Sequence, residues 1–388
     1  MVKIKINYPV DGTFLSSLLF EGLLYTISKS DCNVNTDEVE FKNAKFISQI
    51  YAELDDQRIR NIKVSMVGND NINRKLFEGF GLTRTSKKTY SDLFSVLKSI
   101  GGNILIMRDP IISVKLKKNC ILIDLDDKSE GIQAALFKAE RYIGISSAET
   151  KLTSKHLTQY FSKEVTLILL LGLYCSFIAT VAWHRQQRSS FFLTFSTEDI
   201  MKMLRGAEKE QIEIYFEIKN QAMNVFRNII LKNPHNELLL TEIALNIQLQ
   251  KMLRERNIDK ISFTLFKVVL EGQIYKVYER IPLTILSESP FSNVASKFFK
   301  RAEDLIDYLH WLFSSPNSAI LNGLVDRNST VYSNMISAVN SMYRFVTLGD
   351  IQGWFEFMRE LYNAHEKTKN EKGESEYIKI VRSIGTYM

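Results

Sequence analysis

The longest apolar stretch in the sequence runs from Val165 to Trp183 and contains no charged residue. Lys163 and Glu164 precede it, and His184 and Arg185 follow it. As a single helix it would be about 28 Å long at ~1.5 Å per residue, close to the ~30 Å hydrocarbon layer of a bilayer. A helix that is apolar on every side either spans a membrane or lies at the centre of a folded domain.

Two features of this stretch favour the central position. Basic residues flank it on both sides, so its orientation in a membrane is poorly specified. Gly172, Thr166 and Ser176 within it suit close packing between the helices of a folded protein. We therefore predict a buried central helix and no membrane partner, with a single-span membrane protein built on 165–183 as the alternative.

The first 155 residues alternate between strand-like and helix-like segments. Alternating apolar and basic residues predict a strand at 2–6, and Thr13 is a candidate N-cap for the helix that follows. The same two periodicities predict further strands at 62–67, 103–107, 111–117 and 120–125, and further helices at 46–54, 91–99 and 130–142.

Beyond the apolar stretch the pattern contains one clear hairpin and is otherwise helical. Ser196 follows a predicted strand at 191–195 and begins a helix. Two β-branched and aromatic runs joined by Glu271-Gly272 predict the hairpin at 261–281. Helical spacing then predicts helices at 293–314, at 329–346, after Asp350 and at 375–384.

We expect an α+β protein with a mixed N-terminal domain that has a small antiparallel sheet, a central buried apolar helix and a mostly helical C-terminal region. The expected domains are a mixed α/β domain with a basic loop (1–155), central helices plus the hairpin (156–290) and a helical bundle (291–388). No internal repeat is visible in the sequence.

Composition limits the function classes. The net charge of +6 over 388 residues fits a phosphate-bearing partner. Cys32, Cys120 and Cys175 are far apart, so neither a zinc site nor a disulfide framework is indicated, and with no leader sequence we expect a cytoplasmic protein. The five histidines are isolated and no nucleophile, metalloprotease or phosphate-loop motif occurs, so we expect no enzyme activity, metal or cofactor.

The basic segment from Arg74 to Lys118 is the strongest functional signal. It holds ten Lys and Arg residues against Glu78, Asp92 and Asp109, a local excess of seven positive charges. Such side chains neutralise phosphates and release counterions. The nucleic-acid-binding residues that we predict are Arg74, Lys75, Arg84, Lys87, Lys88, Lys115 and Lys117, with Arg185 and Arg188 just beyond the apolar stretch.

Two other groups of residues allow different functions. Asp124 and Asp126 follow a hydrophobic strand and could hold Mg²⁺ in a metal-dependent nuclease, although a turn at the end of a strand is the favoured explanation. In the hairpin, Lys276, Tyr278 and Arg280 share one face and could hold a single strand by stacking, or form an ordinary half-exposed sheet face.

The layout resembles the large subunit of archaeal type I-A CRISPR surveillance complexes (Cascade). The likeness rests on the basic, glycine-containing loop, the apolar helix that ends in AWHRQQR, the hairpin SFTLFKVVLEGQIYKVYERIPLTIL and the helical C-terminal region. It covers most of the chain and is one of organisation.

The resemblance implies a non-catalytic subunit of an antiviral RNA-guided complex. Such a subunit recognises the protospacer-adjacent motif in target double-stranded DNA and stabilises the R-loop, while base pairing with the guide RNA reads the sequence. Its other implied partners are the backbone and small subunits of Cascade and a separate helicase-nuclease. The resemblance assigns no motif-reading residue on this chain.

Overall fold

The computed structural model describes the chain except for residues 8–9, 36, 68–74, 81–88, 102–108, 118–119, 141–157, 184–186, 233–248, 250–251, 289, 316, 327, 371–372 and 388. The chain divides into two compact units. The first comprises Met1–Glu217 and Ser262–Pro282, and the second comprises Ile218–Ile261 and Leu283–Met388. This division differs from the three predicted domains, because the hairpin pairs with a strand of the first unit and belongs to it.

The first unit contains two sheets and the helices that cover them. Its strands are β1 (Val2–Asn7), β2 (Cys32–Asn35), β3 (Glu38–Phe41), β4 (Ile111–Lys117), β5 (Cys120–Ile123), β6 (Thr158–Phe161), β7 (Phe177–Trp183) and β8 (Gln187–Phe195), together with most of β9 (Lys260–Glu271) and β10 (Ile274–Leu286). Its helices are α1 (Phe14–Lys29), α2 (Phe46–Ala52), α3 (Asp56–Asn61), α4 (Tyr90–Ser99), α5 (Lys163–Ser176), α6 (Thr197–Gly206) and the start of α7 (Lys209–Lys232).

The six-stranded sheet is mixed and has the order β2-β3-β1-β4-β5-β6. Strand β1 pairs antiparallel with β3 and parallel with β4, where Lys5 lies opposite Ile111. Strand β5 pairs antiparallel with β4 and parallel with β6. The predicted antiparallel pair at 111–117 and 120–125 is therefore confirmed, while the predicted strand at 103–107 lies outside the described residues.

The four-stranded sheet has the order β10-β9-β8-β7. Strand β8 pairs antiparallel with both β7 and β9. The turn between β9 and β10 contains Gly272 at φ +59°, a left-handed conformation that glycine adopts without strain. The predicted hairpin is thus confirmed, and it completes a sheet that begins in the apolar stretch.

The apolar stretch is buried from Val165 to Ala179, as predicted, but it is not one helix. Helix α5 ends at Ser176, and the remaining residues form strand β7. Arg58 fixes this end: its guanidinium donates hydrogen bonds of 2.9 Å to the carbonyl oxygens of Tyr174 and Cys175. In the part of the chain that the structure describes, no helix is both long enough and apolar enough to cross a bilayer.

Helices α1 and α5 pack together at two glycines. A Cβ on Gly22 would lie 1.9 Å from the carbonyl oxygen of Ile168, and a Cβ on Gly172 would lie 1.8 Å from that of Leu18. The contact is reciprocal. Gly22 lies against the carbonyl of Ile168, four positions before Gly172, and Gly172 lies against that of Leu18, four positions before Gly22. Only glycine allows two helix backbones to approach so closely, so these two positions define the centre of the first unit.

The second unit is mainly helical among its described residues, as predicted for the C-terminal region. Trp354 lies at its core, with ring centroids 4.8 Å from Phe299 and 5.2 Å from Phe345. Besides the end of α7, its helices are α8 (Pro290–Phe298), α9 (Ala302–Ser314), α10 (Ala319–Gly323), α11 (Tyr332–Leu348), α12 (Ile351–Thr368) and α13 (Glu376–Gly385). The helix predicted at 293–314 is wrong in one respect, because it is interrupted where Phe299 enters this core.

Two other predicted elements are wrong. Residues 62–67 alternate between buried and more exposed positions, but Ser65 forms only an isolated bridge with Thr89. The helix predicted at 130–142 is replaced by short 3₁₀ turns at Lys128–Glu130 and Leu136–Lys138. In both places the apolar periodicity reports burial rather than the element type.

Candidate nucleic-acid interface

Strand β4 carries two of the predicted phosphate-binding residues, Lys115 and Lys117. They stand two positions apart on the strand, so their side chains leave the same side of the backbone. Both residues are exposed.

Acidic residues of the next loop already pair with these lysines. The amino group of Lys115 forms an ion pair with Asp126, and that of Lys117 lies 4.0 Å from a carboxylate oxygen of Asp127. Hydrogen bonds from Ser129 lower the pKa of the Asp127 carboxyl. The side chain of Asp126 is 91% exposed, so water surrounds this pair and it contributes ~0–1 kcal/mol.

The described residues fix both ends of the basic loop at 81–88. On one side Phe80 is buried, and Gly79 packs against Ile132 so closely that a Cβ would lie 2.7 Å from its side chain. On the other side Thr89 and Asp92 form a capping box at the start of α4. Arg84, Lys87 and Lys88 belong to the loop and lie outside the described residues, as does Arg74.

Arg188 on strand β8 reaches the end of this loop from a distant part of the sequence. Its Nη1 donates a hydrogen bond of 3.4 Å to the hydroxyl of Ser65, the residue that bridges Thr89. The hydroxyl of Tyr275 donates to the carbonyl oxygen of Ser65 at 2.7 Å. Strand β8, the hairpin and the segment around Ser65 therefore meet beside the point where the basic loop ends.

The predicted residues thus fall into separate groups. Lys115 and Lys117 lie together on β4, and Arg188 lies at the end of the loop. Lys75 is exposed on a short helical turn at 75–78, just before the loop. Arg185 lies outside the described residues.

One lysine of the basic segment is not available to a ligand. The amino group of Lys98 donates to the carbonyl oxygen of Leu54 at 2.6 Å and pairs with Asp56 at 2.8 Å. The excess charge counted from the sequence therefore overstates the charge that the surface presents.

Asp124 has a structural role. It is buried and has a φ of +54°. Its carboxylate accepts a hydrogen bond of 3.0 Å from the backbone N–H of Ile111 and one of 2.7 Å from the hydroxyl of Ser162. These bonds tie β4, β5 and the start of α5 together, and among the described residues no three His, Cys, Asp or Glu side chains are grouped so as to hold a metal.

The basic face of the hairpin is also engaged within the chain. Lys276 pairs with Glu271 at 2.6 Å, and the hydroxyl of Tyr278 donates to the same carboxylate. The guanidinium of Arg280 lies against Gly12, where a Cβ would come within 2.4 Å of Nη2. These contacts favour the ordinary sheet face over a stacking platform.

Sequence reasoning missed Ser65 and Tyr275. Both residues act through contacts with parts of the chain more than a hundred positions away. Tyr275 is one of several aromatic residues on the hairpin strands, and no local pattern separates it from the others.

Comparison with known proteins gives one relative. An uncharacterized protein from Archaeoglobus fulgidus is 38% identical to the chain over 401 aligned positions, covering 99% of this chain and all of the relative. No protein-family model matches the chain. No solved structure matches it at a significant level.

Proposed function

We propose that this chain, which belongs to one family with the uncharacterized protein of Archaeoglobus fulgidus, binds the phosphate backbone of nucleic acid and is not an enzyme. The binding surface lies in the first unit. It comprises the basic loop at 81–88, the lysine pair on β4, Lys75 and Arg188. The observation that carries the proposal is that Arg188 lies beside the fixed end of the loop in which the sequence concentrates its positive charge.

The ion pairs on β4 do not prevent this binding. Exposed pairs of this kind are worth ~0–1 kcal/mol, because water screens both charges. A nucleic-acid strand offers many phosphates and gains free energy as its counterions are released. Lys115 and Lys117 can therefore exchange Asp126 and Asp127 for phosphates at small cost.

The fixed ends of the loop support the same function. Phe80 and Thr89 hold the two ends of the loop to the folded unit. A ligand of residues 81–88 therefore binds next to two points that the fold holds in place.

The finer form of the proposal is a subunit of a CRISPR RNA-guided complex in the cytoplasm. In this role the chain recognises the protospacer-adjacent motif of target DNA and stabilises the R-loop, with guide RNA, backbone and small subunits and a helicase-nuclease as partners. What supports it is the resemblance in layout, including the hairpin at 261–281 and the helical C-terminal region. Its division of labour, in which the protein reads shape and a short motif, suits a surface of phosphate contacts.

Salt dependence of duplex binding tests the proposal. We expect the triple variant Arg84→Ala, Lys87→Ala, Lys88→Ala to bind double-stranded DNA more weakly and to reduce the slope of log K against log salt by about 3, roughly one per lost phosphate contact. The double variant Lys115→Ala, Lys117→Ala should reduce it by about 2. Fluorescence anisotropy over a salt series measures both.

The matched control removes three exposed cations from the second unit: Lys297→Ala, Lys300→Ala, Arg382→Ala. It changes the net charge as much as the triple variant but leaves the proposed surface intact. An equal fall in slope for the control and the triple variant would contradict a local surface. For the finer proposal, RNA that copurifies with the tagged chain from its native host is sequenced, and absence of repeat-flanked guide RNA contradicts membership of a guided complex.

A further inference from the structure

The segment after strand β5 places two carboxylates against the lysine pair of β4. In this acidic segment (124–127), Asp126 pairs with Lys115, and a carboxylate oxygen of Asp127 lies 4.0 Å from the amino group of Lys117. The amino group of Lys117 also donates a hydrogen bond of 3.4 Å to the backbone carbonyl of Asp126. Both lysines that we assign to phosphate binding therefore have acidic partners within the chain.

The fold fixes both ends of the acidic segment. At its start, the buried carboxylate of Asp124 accepts hydrogen bonds of 3.0 Å from the backbone N–H of Ile111 and of 2.7 Å from the hydroxyl of Ser162. Just beyond its end, Gly131 packs so closely against Tyr160 that a Cβ on Gly131 would lie 2.6 Å from the Cβ of Tyr160. The two carboxylates between these points are therefore held beside β4 by the folded chain.

Asp126 and Asp127 differ in how freely their side chains can move. The side chain of Asp126 is 91% exposed, so it can turn into water when a phosphate takes its lysine. The carboxylate of Asp127 caps the short 3₁₀ turn at Lys128–Glu130 and accepts a hydrogen bond of 2.9 Å from the backbone N–H of Ser129. Hydrogen bonds from the backbone N–H and the hydroxyl of Ser129 lower the pKa of the Asp127 carboxyl. Asp127 therefore keeps both its position and its charge at neutral pH.

We propose that the acidic segment is an autoinhibitory contact, which competes with nucleic acid for Lys115 and Lys117, and that Asp127 is the carboxylate that limits the affinity. When a strand binds, Asp126 releases Lys115 and turns away. Asp127 stays beside Lys117 and repels the phosphates that this lysine contacts. The inference rests on the proposed function and adds a regulation of the same surface, because the lysine pair then holds a strand only with help from contacts elsewhere on that surface.

Water and salt limit the size of this repulsion. The side chain of Asp127 is 57% exposed, so its effect on one phosphate is comparable to that of an exposed ion pair, about two- to fivefold in affinity. The charge of Lys128 also lowers the pKa of Asp127, so this lysine offsets part of the repulsion and leaves the carboxylate ionised. Because the repulsion is electrostatic, it weakens as salt is added, whereas a change in folding has no such dependence.

Duplex binding by single variants of the full chain tests the inference. Asp127→Asn keeps an oxygen that caps the 3₁₀ turn and removes the charge. We expect it to bind a labelled double-stranded DNA about two- to fivefold more tightly than the wild type at low salt, with a gain that shrinks as salt rises. Asp126→Asn should give a smaller gain, although its ion pair is the closer of the two. Fluorescence anisotropy over a salt series measures both.

Asp304→Asn is the matched control. The side chain of Asp304 is 58% exposed and lies 3.8 Å from Arg301 in the second unit, so the variant removes a similar charge far from β4 in the sequence. It should leave duplex affinity unchanged. Asp127→Ser, which also keeps the cap, should reproduce the gain of Asp127→Asn.

Three outcomes would overturn the inference: equal gains in Asp127→Asn and Asp304→Asn, a larger gain in Asp126→Asn than in Asp127→Asn, or an unchanged affinity in Asp127→Asn. If the wild type binds duplex and the triple variant of the basic loop binds it more weakly, these outcomes leave the proposed function standing. Absence of duplex binding by the wild type would overturn both.

Discussion

Helices α1 and α5 are built alike, although they lie in different parts of the sequence. Each follows a strand and begins at a hydroxyl N-cap, Thr13 for α1 and Ser162 for α5. Each has one central glycine that contacts the other helix. In each, the hydroxyl four residues after that glycine donates back to the glycine carbonyl, at 2.7 Å from Thr26 and 2.6 Å from Ser176.

The segments that follow these helices differ. After α1, two strands of four residues each turn back, and β3 pairs with β1. After α5, β7 begins at the next residue. Strands β7 and β8 are longer, with seven and nine residues, and form a second sheet with β9 and β10. The comparison teaches that one local plan, a strand, a capped helix and a pair of antiparallel strands, is used twice. The pair after α1 joins the sheet of the preceding strand, whereas the pair after α5 joins the other sheet.

Substitutions at the two contacting glycines should have the largest effect on the free energy of unfolding. Gly22→Ala and Gly172→Ala each place a Cβ within 2 Å of a carbonyl oxygen on the facing helix, and backbone cannot move aside cheaply. We expect each to lower the free energy of unfolding by about 3 kcal/mol or more. Urea unfolding followed by circular dichroism measures both.

Gly206→Ala is the control for this experiment. Its Cβ would meet no atom within 4 Å, so it should be neutral or slightly stabilising through helix propensity. A loss at Gly22 that is several-fold smaller than the loss at Gly172 would break the equivalence of the two helices.

Loss of Arg58 should have an intermediate effect on the free energy of unfolding, through its contacts with α5 and not with α1. Arg58→Met removes the two hydrogen bonds that the guanidinium donates to the carbonyls of Tyr174 and Cys175 at the end of α5. The expected loss is about 2 kcal/mol. Arg60→Met, at a nearby exposed residue of α3, is the control, and a loss equal to that of Arg58→Met would show that α5 does not depend on this contact.

Glu140 should give the smallest effect, and only on α1. Burial raises the pKa of its carboxyl above the ordinary 4.5, although the backbone N–H of Phe14 donates to it. Because the folded state holds this proton more tightly, stability from Glu140 is full below pH 4.5 and is lost as pH rises through the raised folded pKa.

Glu140→Gln keeps an oxygen that accepts from Phe14 and removes this loss. Above the folded pKa the variant should therefore be more stable than the wild type, and below pH 4.5 the two should be alike. Thermal unfolding at pH values from 4 to 8 measures the difference. Wild-type stability that rises relative to the variant with increasing pH would contradict the sign.

The sequence predicts elements well where one local signal decides them. Thr13 and Ser196 cap helices as predicted, and the predicted hairpin forms, with its turn at Gly272 and Gln273, one residue later than predicted. The sequence predicts elements poorly where a residue far away in the chain determines the element or its end. No proline or charge marks a helix end at Ser176. The residues beyond it pair with β8, and the last carbonyls of α5 accept from Arg58, more than a hundred positions earlier.

The candidate site follows the same rule. Lys115 and Lys117 are exposed on β4, as residues proposed to contact phosphates must be, but so is the apolar Val114 between them and Ser113. Lys98 pairs with Asp56, and Arg188 contacts Ser65. A count of charges along the sequence does not predict either tertiary contact. Asp124 resembles a metal ligand in sequence because its real partners, Ile111 and Ser162, lie on other elements.

The meeting of α1 with α5 sets an order of events during synthesis. Gly172 follows Gly22 by 150 residues, so at about 5 to 20 residues per second α1 waits some 8 to 30 seconds for its counterpart. During that time a helix that is buried on nearly all sides in the finished protein lacks the helix that faces its central glycine. Apolar surface exposed in this way makes a nascent chain prone to aggregation until its partner has been made.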